Sequence, residues 1–168
     1  MDILKCIEDA FSDRVQPAVL VKPDHPATEE YADALMFQGK NWKSVTCKDL
    51  ERNIDAIYGF SPAAFCYFLP AIYSSGIRES RPDLLVNSAL VQMLDRANIP
   101  SSWDQFFIDR WATLSMKECA ATHQWLLWLA DLEPDMDAEL SRAFDTVDLI
   151  SKRHIVVPLA ARFRPLPR

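Results

Sequence analysis

Glycine is scarce in this sequence, and its scarcity limits the folds and functions to consider. Only three of the 168 residues are glycine, where average usage of about 7% would give roughly twelve. Three glycines are too few for a GxGxxG fingerprint, a phosphate-binding loop or a series of tight hairpins. The composition therefore argues against dinucleotide-binding, P-loop and multi-hairpin proteins.

Paired cysteines, long apolar runs and a leader-like start are also missing. The four cysteines include no CxxC pair, and apolar runs such as Trp125–Ala130 are far shorter than a membrane span. The chain starts with Met1-Asp2 and continues with an amphipathic pattern, unlike a secretory signal. We therefore expect a cytoplasmic protein without a membrane partner, whose thiols are reduced and mostly buried.

Acidic residues outnumber basic ones, and the excess is unevenly distributed. The chain has 18 basic and 24 acidic residues, a net charge of −6, which disfavours general nucleic-acid binding. Residues 152–168 hold five basic residues and no acidic one, namely Lys152, Arg153, Arg162, Arg164 and Arg168, so the first 151 residues carry −11. We interpret 152–168 as an extended basic tail, either solvated or docked on the acidic body, on a partner or on nucleic acid.

Apolar spacing and capping residues predict an all-α protein. The predicted helices are 2–12, 29–38, one that Thr46 caps and that reaches Ile57, one that starts at Ser61-Pro62, one from Ser80 to Asn98, one from Ser102 to Trp111, one that starts at Ser115 and one that starts at Pro134. Residues 15–27 hold three prolines and are expected to be extended, with 19–21 pinned to the core or forming an edge strand. We predict one compact domain of about seven or eight helices over 1–151, followed by the tail.

Several local signals refine this prediction. Capping boxes pair Thr46 with Asp49, Ser102 with Gln105 and Ser115 with Glu118. Pro70 lies inside the helix that starts at Ser61, so a kink or break is expected near 66–70. The nearly all-apolar helix after Ser115 is expected to be central. Each of Gly39, Gly59 and Gly76 follows a predicted helix end and is expected to adopt a left-handed conformation there.

The residues that usually carry chemistry form no convincing constellation. Cys119 and His123 are four apart on one helical face, a spacing that a metal can bridge, but no third ligand is signalled. We therefore interpret them as a buried structural pair. Carboxylate pairs lie at helix starts or on polar faces, and no GxSxG elbow is present. We predict no catalytic residue, no cofactor and no metal.

Aromatic residues near helix ends are the candidates for a binding surface. Trp42, Tyr58, Tyr67 and Tyr73 lie at helix ends or off the apolar stripes, and Asp55 precedes Tyr58. Exposed Trp and Tyr side chains supply large contact area and a polar group, which suits a protein interface. The aromatic residues are interleaved with acidic rather than basic ones, which disfavours RNA stacking. We predict Trp42, Asp55, Tyr58, Tyr67 and Tyr73 as partner-binding residues.

Two motifs carry a resemblance to a protein family. The segments are Gly39-Lys-Asn-Trp42, which matches GKxW, and Ser61-Pro-Ala-Ala-Phe-Cys-Tyr-Phe-Leu-Pro-Ala71, which matches SPxxFxxxLPA. Residues 28–75 resemble a family of small uncharacterised bacterial proteins with these motifs. The resemblance implies a bacterial cytosolic protein and implies no particular reaction, cofactor or partner.

Three functional hypotheses follow. The first is a non-enzymatic protein-binding module, most concretely an immunity-type inhibitor that occludes a basic bacterial toxin through an acidic, aromatic-containing surface, because a −11 body attracts a basic partner. The second is an enzyme with a site in a groove at the Pro70 kink, where Asp55, Cys66 and Tyr67 are the residues to test. The third is an adaptor or regulator whose basic tail contacts nucleic acid.

Overall fold

The described part of the chain folds into helices, most of which follow a short polar residue. The computed structural model describes residues 2–153, and within this range it contains α-helices and 3₁₀ turns but no strand. The nine helices are α1 (Ile3–Ala10), α2 (Glu29–Leu35), α3 (Cys47–Arg52), α4 (Ala56–Gly59), α5 (Pro62–Arg78), α6 (Leu85–Leu94), α7 (Gln105–Trp111), α8 (Met116–Leu132) and α9 (Asp137–Arg153). The all-α, single-domain prediction is confirmed over this part of the chain.

The predicted caps are correct at α3 and α8 and displaced at α7. Thr46 and Ser115 each form a complete capping box with the residue three positions later. At α7 the cap is Asp104, whose carboxylate accepts a hydrogen bond from the Phe107 backbone N–H. Ser102 instead ends a 3₁₀ turn that begins at Pro100, so the box predicted there is wrong.

Helix α5 forms the centre of the fold, a position that the sequence predicted for α8. Thirteen of its seventeen residues, Ala64 to Gly76, are buried, and α1, α3, α6 and α7 pack around it. On α8, by contrast, Leu127 and Leu132 are exposed. Helix α5 continues through Pro70, so the predicted break is absent. Packing on all sides compensates for the backbone hydrogen bond that proline cannot donate.

The segment before α2 is tied to the start of α5. Leu20 and Val21 are buried, the Ser61 backbone N–H donates to the Leu20 carbonyl at 2.6 Å, and the Ser61 hydroxyl donates to the Val19 carbonyl at 2.9 Å. The prediction that residues 19–21 are pinned to the core is confirmed for Leu20 and Val21, whereas the Val19 side chain is exposed and only its carbonyl is engaged. Residues 19–21 form no edge strand.

Glycine is used differently from the prediction at two of its three positions. Gly39 has a left-handed φ of +75°, as predicted. Gly59 belongs to α4 and has no positive φ, and Gly76 lies inside α5, which ends only at Arg78. Ser80, predicted to start a helix, adopts the left-handed conformation after α5 with φ +53°. The predicted end of α5 and the predicted start of α6 therefore both shift: α5 ends at Arg78, and α6 begins only at Leu85.

Helices α3 and α4 are separate, although the sequence predicted one apolar face from Thr46 to Ile57. Helix α3 ends at Arg52, and α4 begins at Ala56. The two parts pack against different partners: α3 contacts α5, whereas α4 lies against α2. Tertiary packing, which local periodicity does not contain, therefore determines where the helix stops.

Helices α8 and α9 form a pair that α1 and α6 flank. Helix α1 packs on α8, and α6 packs on α9. Helix α9 extends through Arg153, so Lys152 and Arg153 belong to its last turn and the tail predicted to start at 152 begins inside a helix. Arg162, Arg164 and Arg168 lie outside the described residues, and their predicted role stays a prediction. In the range that the structure covers, no helix has both the length and the apolar composition to cross a membrane.

An ion pair joins the end of α6 to α9 and predicts a pH effect. Arg142 donates to both carboxylate oxygens of Asp95, at 2.6 and 2.8 Å, and this bonding lowers the pKa of Asp95. A carboxyl whose pKa is lower in the folded state stabilises the fold above its ordinary pKa. That contribution is lost as the pH falls through the lowered value.

We therefore expect Asp95→Asn to lower the free energy of unfolding at pH 7 by a small amount, because both side chains are partly exposed and water screens the pair. The difference from the wild type should vanish in strong acid, below the folded-state pKa. Urea unfolding between about pH 2 and 7 measures it, with the exposed Asp145→Asn as control. A difference that persists unchanged at the acid end would contradict the assignment.

Candidate functional site: an aromatic cavity around Arg110

Three of the five predicted partner-binding residues lie in the core. Trp42, Tyr67 and Tyr73 are only 5%, 3% and 0% exposed. Tyr73 stacks on Trp125 with ring centroids 4.5 Å apart, and its hydroxyl lies 3.1 Å from the Thr122 hydroxyl. Trp42 lies in a 3₁₀ turn that packs on α5, and Tyr67 and Tyr73 lie inside α5, whose neighbouring helices cover them. The prediction of these three as surface residues is therefore wrong.

The predicted enzymatic groove at Pro70 is closed. Cys66, Tyr67 and Pro70 are all buried, and the Cys66 thiol donates to the Arg110 carbonyl at 3.3 Å. Burial raises the pKa of the Cys66 thiol, which disfavours the reactive thiolate. Asp55 is half-buried at the start of α4, where its backbone N–H donates to the Asp33 carboxylate. The structure does not bring Asp55, Cys66 and Tyr67 together in an open site.

Tyr58, the remaining predicted residue, lines a cavity of about 370 Å³. Its side chain is 40% exposed. The walls come from the segment before α2, from α2 and α4, from the start of α5 and from α7. The lining residues that carry rings or charges are Lys22, Tyr31, Tyr58, Phe106, Asp109 and Arg110. A volume of this size is at the lower end of small-molecule pockets, which span roughly 300–1,000 Å³.

Arg110 is the buried charge of this cavity, with 7% of its surface exposed. Its Nη2 donates to the Phe60 carbonyl at 2.6 Å, and its Nη1 donates to the Phe106 carbonyl at 3.2 Å. The guanidinium carbon lies 3.6 Å from the centre of the Phe106 ring, and the Phe65 ring is 6.0 Å away. These contacts fix the guanidinium plane, since a cation over an aromatic face is attracted by the ring quadrupole.

Arg110 has no acidic partner in the described part of the chain. Other arginines do: Arg14, Arg81, Arg96 and Arg142 each lie within 4.0 Å of a carboxylate oxygen. The Nε of Arg110 is buried without a hydrogen-bond partner among the described residues. Burial lowers the pKa of Arg110, because desolvation penalises the charged form.

A second cation and one carboxylate lie at the rim. The Lys22 ammonium is 5.5 Å from the centre of the Tyr31 ring, and that ring stacks on His25 at 4.9 Å. Asp109 accepts a hydrogen bond from the Gln105 amide at 2.5 Å. The cavity therefore combines two cations, one anion and exposed aromatic faces.

Sequence reasoning missed Lys22, Tyr31, Phe106 and Arg110. One signal was present, because Phe106 and Arg110 are four residues apart and therefore share a face of α7. The apolar stripe of the same helix buries Phe107 and Trp111. Arg110 directly precedes the buried Trp111 on a short helix, and this position indicates that the arginine side chain is also buried.

Comparisons with known proteins leave the cavity as the guide to function. No family model matches the chain, and no curated protein or solved structure matches it. The resemblance of residues 28–75 to small bacterial proteins stays a prediction.

The lining of the cavity holds few of the side chains that commonly act as nucleophiles. Among the described residues that line it, none is a histidine or a cysteine, and the Ser61 hydroxyl is engaged with the Val19 carbonyl. Of the two residues predicted to be a buried pair, Cys119 is buried, but the His123 side chain is 23% exposed and stacks on Phe144, so the prediction is wrong for His123. Residues 2–153 contain no group of three His, Cys, Asp or Glu side chains arranged to hold a metal ion.

Proposed function

We propose that this chain is a non-enzymatic protein-binding module, most concretely an immunity-type inhibitor that binds and occludes a bacterial toxin. One observation carries the proposal: two exposed aromatic side chains, Tyr58 and Phe106, line the same cavity at the surface, where they are 40% and 39% exposed. Exposed aromatic residues around a concave centre are typical anchors of protein interfaces.

One acidic side chain, Asp109, lines the cavity with these rings, and two more lie near Tyr58 in the sequence or in contact with its helix. We define the Tyr58 face as Asp33, Asp55, Tyr58, Phe106 and Asp109. The Asp33 carboxylate accepts from the Asp55 backbone N–H at 3.1 Å, and Asp109 lines the cavity beside Phe106. Together with the −11 charge of residues 1–151, these acids support attraction of a basic partner, an effect that salt weakens.

We also propose that the protein acts in the cytoplasm. All four cysteines are free thiols, and Cys47, Cys66 and Cys119 are buried. Burial raises the pKa of Cys47 to about 11 and that of Cys119 to about 12, so both remain protonated and unreactive at neutral pH. Free, buried thiols suit a reducing compartment.

The test is capture of a stoichiometric partner by matched variants. We expect Tyr58→Ala combined with Phe106→Ala to weaken the captured complex by about 30-fold or more, because buried aromatic anchors contribute about 2 kcal/mol or more to an interface. Leu127→Ala, at an apolar residue on α8 that is 47% exposed, is the control and should bind as the wild type does.

Two further measurements on the captured partner complete the test. Its association rate should fall as ionic strength rises, and its toxic activity should be blocked when the complex forms. Equal binding by the double variant and the control, or an association rate that salt does not change, would contradict the proposal.

A further inference from the structure

The cavity described above holds a buried cation, Arg110, that forms no direct ion pair with a carboxylate of the described residues. Two of the five N–H groups of Arg110 donate to carbonyls, the buried Nε has no hydrogen-bond partner, and the guanidinium, although it stacks on Phe106, forms no ion pair with a carboxylate of residues 2–153. Burying a cation without a counter-ion is costly, so such groups are usually paired. An anion that enters the cavity would remove this cost, because Arg110 lines it.

The charges of the lining indicate what kind of anion fits. Lys22 and Arg110 are cations and Asp109 is an anion, so the lining carries a net charge of +1. A single carboxylate neutralises this charge, whereas a doubly charged phosphate would leave an excess negative charge beside Asp109. A guanidinium held in a fixed plane also suits the two oxygens of a carboxylate, which accept two parallel hydrogen bonds.

The rings of the lining indicate the body of the ligand. Phe106, Tyr58 and Tyr31 supply apolar faces, and the volume of about 370 Å³ admits a molecule of the size of one aromatic ring with its substituent. The Phe106 ring lies directly against the Arg110 guanidinium. A ligand whose carboxylate reaches Arg110 therefore places its next atoms beside an aromatic wall.

We propose that this cavity is a binding site for a small aromatic monocarboxylate, whose carboxylate pairs with Arg110 and whose ring packs against Phe106 and Tyr58. Lys22 at the rim adds attraction for the same charge. The site is a small-molecule site and does not depend on whether the Tyr58 face binds a protein.

Benzoate is the probe, titrated into the full chain by calorimetry and by two-dimensional NMR. We expect saturable binding with a Kd of about 1 mM, and chemical-shift changes that centre on Phe106, Tyr58 and Arg110. Benzamide, the neutral analogue of the same shape, should bind at least about tenfold more weakly, because it lacks the charge that Arg110 pairs with. Inorganic phosphate should also bind more weakly than benzoate.

Variants of the lining residues test whether benzoate binds in this cavity or elsewhere on the protein. Arg110→Lys should weaken benzoate binding about tenfold or more, since lysine keeps the charge but loses the planar pair of donors. Lys22→Met tests the rim without disturbing the core, and we expect a loss of about twofold to fivefold. Arg96→Lys is the matched control and should leave the Kd unchanged, because Arg96 also stacks on a phenylalanine but is paired with Asp104.

The proposal is overturned if folded wild-type protein shows no saturable benzoate binding up to about 20 mM. Equal affinities for benzoate and benzamide, or tighter binding of phosphate, also overturn it. If Arg110→Lys does not fold, Lys22→Met and Tyr58→Ala decide the question: unchanged affinity in both removes the site. Because no protein partner takes part in this titration, its outcome is independent of the capture experiment.

Discussion

Replacing Gly59 with alanine is expected to destabilise the protein by about 3 kcal/mol or more. Gly59 lies in α4, which packs closely against α2. A Cβ at this position would stand 2.0 Å from the Glu30 carbonyl oxygen and 2.5 Å from its carbon. Both atoms are backbone, so no side chain can move aside, and the two helices must separate.

The matched control for this substitution is Gly76→Ala. Gly76 lies inside α5, where an added Cβ would have its nearest neighbour at 3.5 Å, an ordinary contact. Alanine is favoured over glycine in a helix by about 0.5–1 kcal/mol, so we expect this variant to be slightly more stable than the wild type. Urea unfolding of both variants measures the difference. Similar stability of the two variants would contradict the close α2–α4 contact.

Replacing Glu118 with alanine is expected to cost about 3 kcal/mol or more. The Glu118 carboxylate is 4% exposed and accepts from Arg14 Nε at 2.5 Å and from Arg14 Nη2 at 2.8 Å. It also accepts from the Ser115 backbone N–H at 2.7 Å, which completes the capping box of α8. Hydrogen bonding to Glu118 raises the pKa of Arg14. Its removal leaves a half-buried cation without its carboxylate and the Ser115 backbone N–H without its acceptor, so α8 keeps only the Ser115 hydroxyl half of its capping box.

Two variants test whether burial is the reason for that cost. Asp83→Ala removes an acid that also bonds bidentately to an arginine, Arg81, but at an exposed position, so its effect should be much smaller. Adding Arg14→Met to Glu118→Ala removes the unpaired charge and should recover part of the loss. Equal losses of stability for Glu118→Ala and Asp83→Ala would show that burial does not raise the cost of breaking the Arg14–Glu118 pair.

The aromatic residues show where sequence reasoning about the site failed. Tyr58, Tyr67 and Tyr73 had similar positions relative to predicted helices, yet only Tyr58 is exposed. The difference arises because α5 is surrounded by other helices, so a residue off its main apolar stripe still meets a neighbour. Arg110 was missed because its surroundings also come from distant parts of the chain: its cavity joins α7 to segments about 50 to 90 residues away in the sequence.

The sequence by itself determined the helical class and several of the helix starts. The boxes at Thr46 and Ser115 and the left-handed turn at Gly39 depend on atoms within a few residues of each other, so local chemistry is sufficient for them. Only the tertiary structure decided that α5 continues through Pro70, that Gly59 permits close contact with α2, and that Arg110 is buried without an acid. These features depend on which distant backbone or side chain packs against the residue. Local patterns of charge and hydrophobicity do not contain that information.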